Sequence, residues 1–277
     1  MNIIKIFRTA FIISFGAILF SCSNAPTIDD SQLQELEQDS ATKRLTEIIT
    51  QFKMPSPVDV YIFLWEDETR FSQEALNPLE NVNKYNTTVK KAVNLGVYSS
   101  DVAYCSVYGK NQLTMNYFAV SKKLADDLGL TEGFDDAFIK RINDNINNAD
   151  SLYEITNDSY SQAVGYLQAN GQAQLLPFIT FGAWIESVNT ICVTIKNFDN
   201  SSTGVQLLTD QGVLLENLVD YYQSINTNDD INNIQKDLSE LQKIYDEILD
   251  SESGMMTKKQ FKQIKNKVSE IRNKWIN

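Results

Sequence analysis

From about residue 30 to the C-terminus, apolar residues recur every three or four positions, and no stretch alternates strictly in the manner of a half-buried strand. That period predicts amphipathic helices. Near the C-terminus Ile231, Ile234, Leu238, Leu241, Tyr245 and Ile248 form one stripe, and Phe261, Ile264, Val268, Ile271 and Trp275 form the next. The Ser251-Glu252-Ser253-Gly254 break between them predicts an antiparallel helical hairpin. Asp229 and Asp230 favour the start of its first helix through the macrodipole, Gly254 suits a left-handed turn, and Thr257 suits the N-cap of the second. Upstream, Val102, Cys105, Gly109, Leu113, Tyr117, Val120, Leu124 and Leu128 read as one long helix stopping at Gly129. Phe138, Ile142, Ile146, Ala149, Tyr153, Thr156, Tyr160, Ala163 and Leu167 read as another, about 45 Å long at about 1.5 Å per residue, ending at Asn170-Gly171.

The segment from Leu175 to Ile195 is apolar on more than one face, which predicts a central helix buried all round. Its length and the polar residues Glu186, Asn189 and Thr190 mark it as a core helix and not a membrane span. Val205, Leu208, Gly212, Leu215, Val219 and Tyr222 predict a further helix after Asn200-Ser201-Ser202. Nearer the N-terminus, Ala41, Leu45, Ile48 and Phe52 predict a helix terminated by Pro55-Ser56-Pro57, and Asn77-Pro78 opens another with proline in its first turn.

The first residues depart from this pattern. Lys5 and Arg8 precede an unbroken apolar run from Ala10 to Phe20, the layout of a signal peptide. The run ends in Leu19-Phe20-Ser21-Cys22, which resembles the lipobox of bacterial lipoproteins, with cleavage before Cys22 making that cysteine the lipidated N-terminus. Removal of Lys5 and Arg8 with the leader, and of no acid, takes the formal net charge from -12 to -14. Small and polar, Ser23 to Thr27 suit a tether. Ser23 stands where an inner-membrane retention signal places aspartate, so sorting to the outer membrane is expected. The expected organisation is a signal peptide over 1–21, a tether over 22–29, an acidic N-terminal helix over 30–53 and a helical domain over 54–277.

Composition narrows the chemistry. The 277 residues include no histidine, which removes Ser-His-Asp and Cys-His catalysis and any imidazole base or ligand. The acidic balance argues against nucleic acid as a partner. Eleven glycines and five prolines are few, as long helices require.

Met54-Pro55-Ser56-Pro57-Val58, Asn77-Pro78-Leu79-Glu80, Asn94-Leu95-Gly96-Val97-Tyr98, Lys123 to Gly129 and Gly182-Ala183-Trp184-Ile185-Glu186 together resemble an uncharacterised family of helical lipoproteins from the Bacteroidetes group. The resemblance spans most of the chain after the leader. It implies export and a helical architecture and no particular chemistry.

Several constellations of side chains bear on function. Asn143, Asn145, Asn147 and Glu154 fall on the first, third, fifth and twelfth positions of a calcium-binding EF-hand loop, but Asn148 stands at its glycine position and a helical stripe runs through it; no metal site is expected. Cys105 and Cys192 are chemically able to bridge in an oxidising compartment, although buried free cysteine is the commoner use of such apolar positions. Glu66-Asp67-Glu68, Asp126-Asp127 and Asp135-Asp136 would supply a carboxylate pair only if two faced each other across a cleft; they read as solvated helix ends. Tyrosines 104, 108, 117, 153, 160 and 166 at helical spacing read as core. Glu186 lies in the most apolar stretch of the chain. Two readings stay open for it: a polar anchor in a cavity near Trp184, or a glutamate paired with a lysine or arginine.

The expectation is therefore an all-α, single-domain bundle with a C-terminal helical hairpin, anchored to the outer membrane through Cys22. It requires no cofactor and acts as a non-catalytic binding or interaction module, with Trp184 and Glu186 as the candidate ligand-binding residues. Its partners would be the membrane and either another envelope protein or a small ligand. A carboxylate-dependent envelope hydrolase is the alternative.

Overall fold

The computed structural model describes residues 57–130 and 169–277, together with 140, 141, 144, 145, 148, 151, 166 and 167. Among these residues all regular structure is helical, as the hydrophobic period predicts. The helices are α1 (Pro57–Glu66), α2 (Thr88–Val107), α3 (Asn111–Asp127), α4 (Leu176–Thr194), α5 (Thr203–Ser224), α6 (Asp229–Leu249) and α7 (Lys258–Ile276). Short 3-10 turns at Gln73–Ala75, Leu79–Lys84 and Ala173–Leu175 join some of them. The leader and tether with Cys22, the 30–53 helix, Asp135-Asp136, Asn143, Asn147, Glu154, Tyr153 and Tyr160 lie outside the described residues, as does most of the helix expected over 138–167.

Side-chain caps set the helix starts. Thr87, Ser202 and Asn228 each accept a hydrogen bond from the backbone N–H three residues on, opening α2, α5 and α6. Thr257 opens α7 in a reciprocal box with Gln260: each side chain accepts from the other residue's backbone N–H. Every apolar position named for the C-terminal hairpin is buried, and Gly254 turns the chain between its helices at φ 60°.

Two expectations change. The single helix expected from Val102 to Leu128 is a pair, α2 and α3, packed against each other. Gly109 adopts φ 61°, its N–H bonding to the Ser106 carbonyl at 2.9 Å while the Lys110 N–H bonds to the Cys105 carbonyl at 2.8 Å. This closes α2 and reverses the chain. The stripe runs unbroken in sequence because both helices bury the same kind of face. Asn77-Pro78 opens a 3-10 turn and not an α-helix: Pro78 is extended at ψ 132°, and its carbonyl is taken by the Tyr98 hydroxyl at 2.8 Å.

The centre of the bundle is α4, with 15 of its 19 residues buried, among them Phe178, Phe181, Ile185 and Val188. It packs against α1, α2, α5 and α7. This burial confirms a core helix. The closest of these contacts is with α2, where Gly96 and Gly182 let the two backbones touch. A Cβ at Gly96 would overlap the Ile179 carbonyl and lie 2.8 Å from the Ala183 nitrogen; one at Gly182 would overlap the Val93 carbonyl. Those obstacles are backbone atoms and cannot rotate away.

Alanine is favoured over glycine inside a helix by about 1 kcal/mol, whereas forced overpacking costs about 1–3 kcal/mol and occasionally more. Gly96→Ala and Gly182→Ala are therefore each expected to lower the urea midpoint despite their better helix propensity. A rise in either midpoint would show that the helices are not held at this contact.

Candidate functional site

Glu186 is fully buried on α4, where an unpaired carboxylate would be costly. Its partner is Arg272 on α7. Arg272 Nε donates to Glu186 Oε2 at 2.5 Å and Nη2 donates to Oε1 at 2.6 Å, a two-pronged pair in which the arginine side chain is only 11% exposed. Of the two readings of Glu186, the structure has the ion pair. Burial alone would lower the pKa of Arg272, but the Glu186 carboxylate outweighs it and holds the guanidinium above its ordinary value.

A second buried acid, Asp101 on α2, reaches the same place. Its Oδ2 accepts the Asn77 backbone N–H at 3.1 Å, while Oδ1 is buried with no donor to satisfy it among the described residues. Asp101 lies within hydrogen-bonding reach of Glu186. Two carboxyl groups bond to each other only when one carries a proton. Desolvation first and the Glu186 charge second push Asp101 well above its ordinary value, against the opposing pull of Arg272. The raised Asp101 pKa favours its neutral form beside Glu186, and Arg272 is the cation that faces both acids.

The loop between α1 and α2 covers this cluster. The Ala75 carbonyl accepts from Arg272 Nη2 at 3.3 Å and from Asn189 Nδ2 at 3.2 Å. Asn77 uses all four of its polar atoms: besides the Asp101 bond, its side chain donates to the Tyr85 hydroxyl at 3.0 Å and accepts from Asn81 at 2.8 Å, and its carbonyl accepts from the Tyr117 hydroxyl at 2.9 Å. The Tyr61 hydroxyl and Ser100 Oγ form a buried pair of their own, 2.5 Å apart, and burial raises the Tyr61 pKa strongly.

Trp184 is buried on α4 two positions before Glu186, so the two side chains point to roughly opposite sides of the helix. Its indole N–H has no hydrogen-bond partner among the described residues. Glu186 belongs instead with Asp101, Arg272 and Asn77, a grouping that sequence reasoning missed. One signal was available: Arg272 is the sole arginine in a helix that otherwise carries lysines at 258, 259, 262, 265, 267 and 274. The planar guanidinium is the cation suited to a buried two-pronged pair. Cys105 and Cys192 are both buried free thiols; burial pushes Cys105 up strongly and Cys192 to about 12. Glu66, Asp67, Glu68, Asp126 and Asp127 are exposed, as expected of solvated ends.

A different feature lies on the surface, between the end of α1 and the α2–α3 turn. Here an open groove of about 800 Å³ has Trp65, Phe71 and Tyr108 as its aromatic lining and Glu66, Glu68, Arg70 and Lys110 as its charged lining. Trp65 is half exposed at 50%. Phe71 is fixed by stacking on Tyr104 at 4.8 Å and by Tyr108 at 5.7 Å, with the Lys110 ammonium 5.3 Å from its centroid. Glu68 closes α1 in the left-handed conformation, φ 54°, with its N–H on the Trp65 carbonyl and the Thr69 N–H on the Leu64 carbonyl. Glycine normally takes that position, so a glutamate there is strained. No protein-family model, curated protein or solved structure matches this chain.

Two outcomes follow from the buried cluster. Because Asp101 titrates above its unfolded value of about 3.8, the folded protein keeps a proton that the unfolded chain releases. Its contribution is full below that value and is lost as pH rises towards the folded one. Asp101→Asn, whose amide accepts from Asn77 and donates to Glu186, should flatten the decline in urea midpoint above pH 5; parallel slopes for the two proteins would refute a protonated Asp101. Removing one side of the pair in Arg272→Met should cost about 3–5 kcal/mol, and adding Glu186→Leu should restore much of it. Equal losses in the single and double variants, measured by denaturation, would deny the coupling.

Proposed function

We propose that this chain is a lipid-anchored protein of the bacterial outer membrane whose helical domain works by binding, without turnover. The observation that carries the binding reading is the surface groove: a half-exposed tryptophan beside a fixed aromatic wall, with charged side chains of both signs, is an arrangement suited to holding a ligand. The anchoring rests on the sequence, on the leader ending at Cys22, on Ser23 after it and on the resemblance to helical lipoproteins. The interior supports the same preference. A carboxylate-dependent hydrolase needs two acids facing a substrate, one on each side. The two acids that do converge, Asp101 and Glu186, are buried together on one arginine and roofed by the Ala75 to Asn77 loop.

Anchoring is checked directly in cells. Labelled palmitate should enter the wild type and be absent from Cys22→Ala, which should also leave the membrane fraction. Equal labelling of the two proteins would overturn the anchor.

A further inference from the structure

The groove beside Trp65 has a chemistry that selects among ligand classes. Its charged lining balances, two carboxylates against two cations, within a chain of net charge -12. An anionic ligand would meet Glu66 and Glu68 in the groove and the long-range repulsion of the whole molecule; a cationic one would meet Arg70 and Lys110. A purely apolar ligand would strip water from four charged groups without replacing their hydrogen bonds. What remains is a neutral molecule with many hydroxyl groups and an apolar face.

From this we infer that the groove is an oligosaccharide-binding site, a conclusion that rests on the binding-module reading above and gives it a ligand class. A pyranose ring offers a face of C–H groups to the exposed Trp65 indole and a rim of hydroxyls to the charged lining. Glu68 and Arg70 have no ion-pair partner among the described residues, so their hydrogen-bonding capacity is directed to solvent or ligand. The strained backbone of Glu68 has the same explanation. Glycine there would relieve the left-handed conformation, and a glutamate is retained where its carboxylate has a use that the fold does not supply.

Tryptophan emission tests the inference in the detergent-solubilised full-length protein. Of its three tryptophans, Trp184 and Trp275 are buried and Trp65 is half exposed, so a ligand in the groove is reported mainly by Trp65. Maltohexaose, cellohexaose, xylohexaose and chitohexaose are titrated, with tri-lysine, tri-glutamate and tri-alanine as peptide arms. The expected result is a saturable emission change with at least one hexasaccharide that persists at about 0.5 M salt, as befits a neutral ligand. Trp65→Ala should weaken that binding, followed by calorimetry, about tenfold or more. Glu68→Gly should bind several-fold more weakly while unfolding at higher denaturant than the wild type, which separates loss of a ligand contact from loss of the fold. Silence towards all four sugars at millimolar concentration, or affinity unchanged in Trp65→Ala, overturns the inference. A response to a peptide alone overturns the sugar assignment and leaves the binding-module reading standing, whereas silence in every arm removes the groove from both.

Discussion

The contact of Gly96 with α4 and of Gly182 with α2 is the constraint on which the rest of the interior depends. Two helices whose backbones touch have no room between them for side chains at the crossing, and this fixes both their separation and their register. Asp101 lies five residues beyond Gly96, and Glu186 four residues beyond Gly182, a little over one turn along each helix. The close approach therefore carries two carboxyl groups into one buried volume. Had either glycine been alanine, the helices would stand farther apart and the two acids would be drawn away from each other.

The neutral form that burial favours at Asp101 explains how the core tolerates two acids and one arginine. With Asp101 neutral, Glu186 and Arg272 form a balanced pair, Arg272 Nη2 also reaches the Ala75 carbonyl, and Asp101 Oδ2 accepts the Asn77 N–H. A cluster of this kind adds little net stability compared with a hydrophobic replacement, because desolvation offsets most of the attraction. It does specify geometry. Arg272 ties the last helix to the central one, and the Ala75 carbonyl ties the loop to both. Asn94 reinforces the arrangement by donating to the Trp275 carbonyl at 2.9 Å, so the end of α7 is held from α2 as well.

Interior and surface thus carry different burdens. The charged groups of the interior, Asp101, Glu186 and Arg272, are turned towards one another and away from solvent. At the end of α1 an aromatic ring stands half in water, and the Glu68 carboxylate and Arg70 guanidinium have no ion-pair partner among the described residues. The aromatic stack of Phe71, Tyr104 and Tyr108 joins the two regions, since Tyr104 is wholly buried and its hydroxyl accepts the Ser72 backbone N–H at 2.8 Å. The wall of the groove is in this way an outward extension of the core.

By itself, the sequence determined the helical class, the all-round burial of α4, the start of α5 and the whole C-terminal hairpin. Each of these is encoded locally, in a period of three to four residues, a capping side chain or a glycine at a turn. The tertiary structure alone decided the break at Gly109, because a stripe buried on two consecutive helices has the same period as one buried on a single helix. It alone decided the partner of Glu186 as well: Asp101 and Arg272 stand 85 residues before it and 86 after it, a separation at which no periodic signal survives. The groove was hidden for a related reason. Trp65 and Glu68 belong to one helix end, whereas Tyr108 and Lys110 belong to a turn some 40 residues on, and only the packing of α1 against α2 brings the two together.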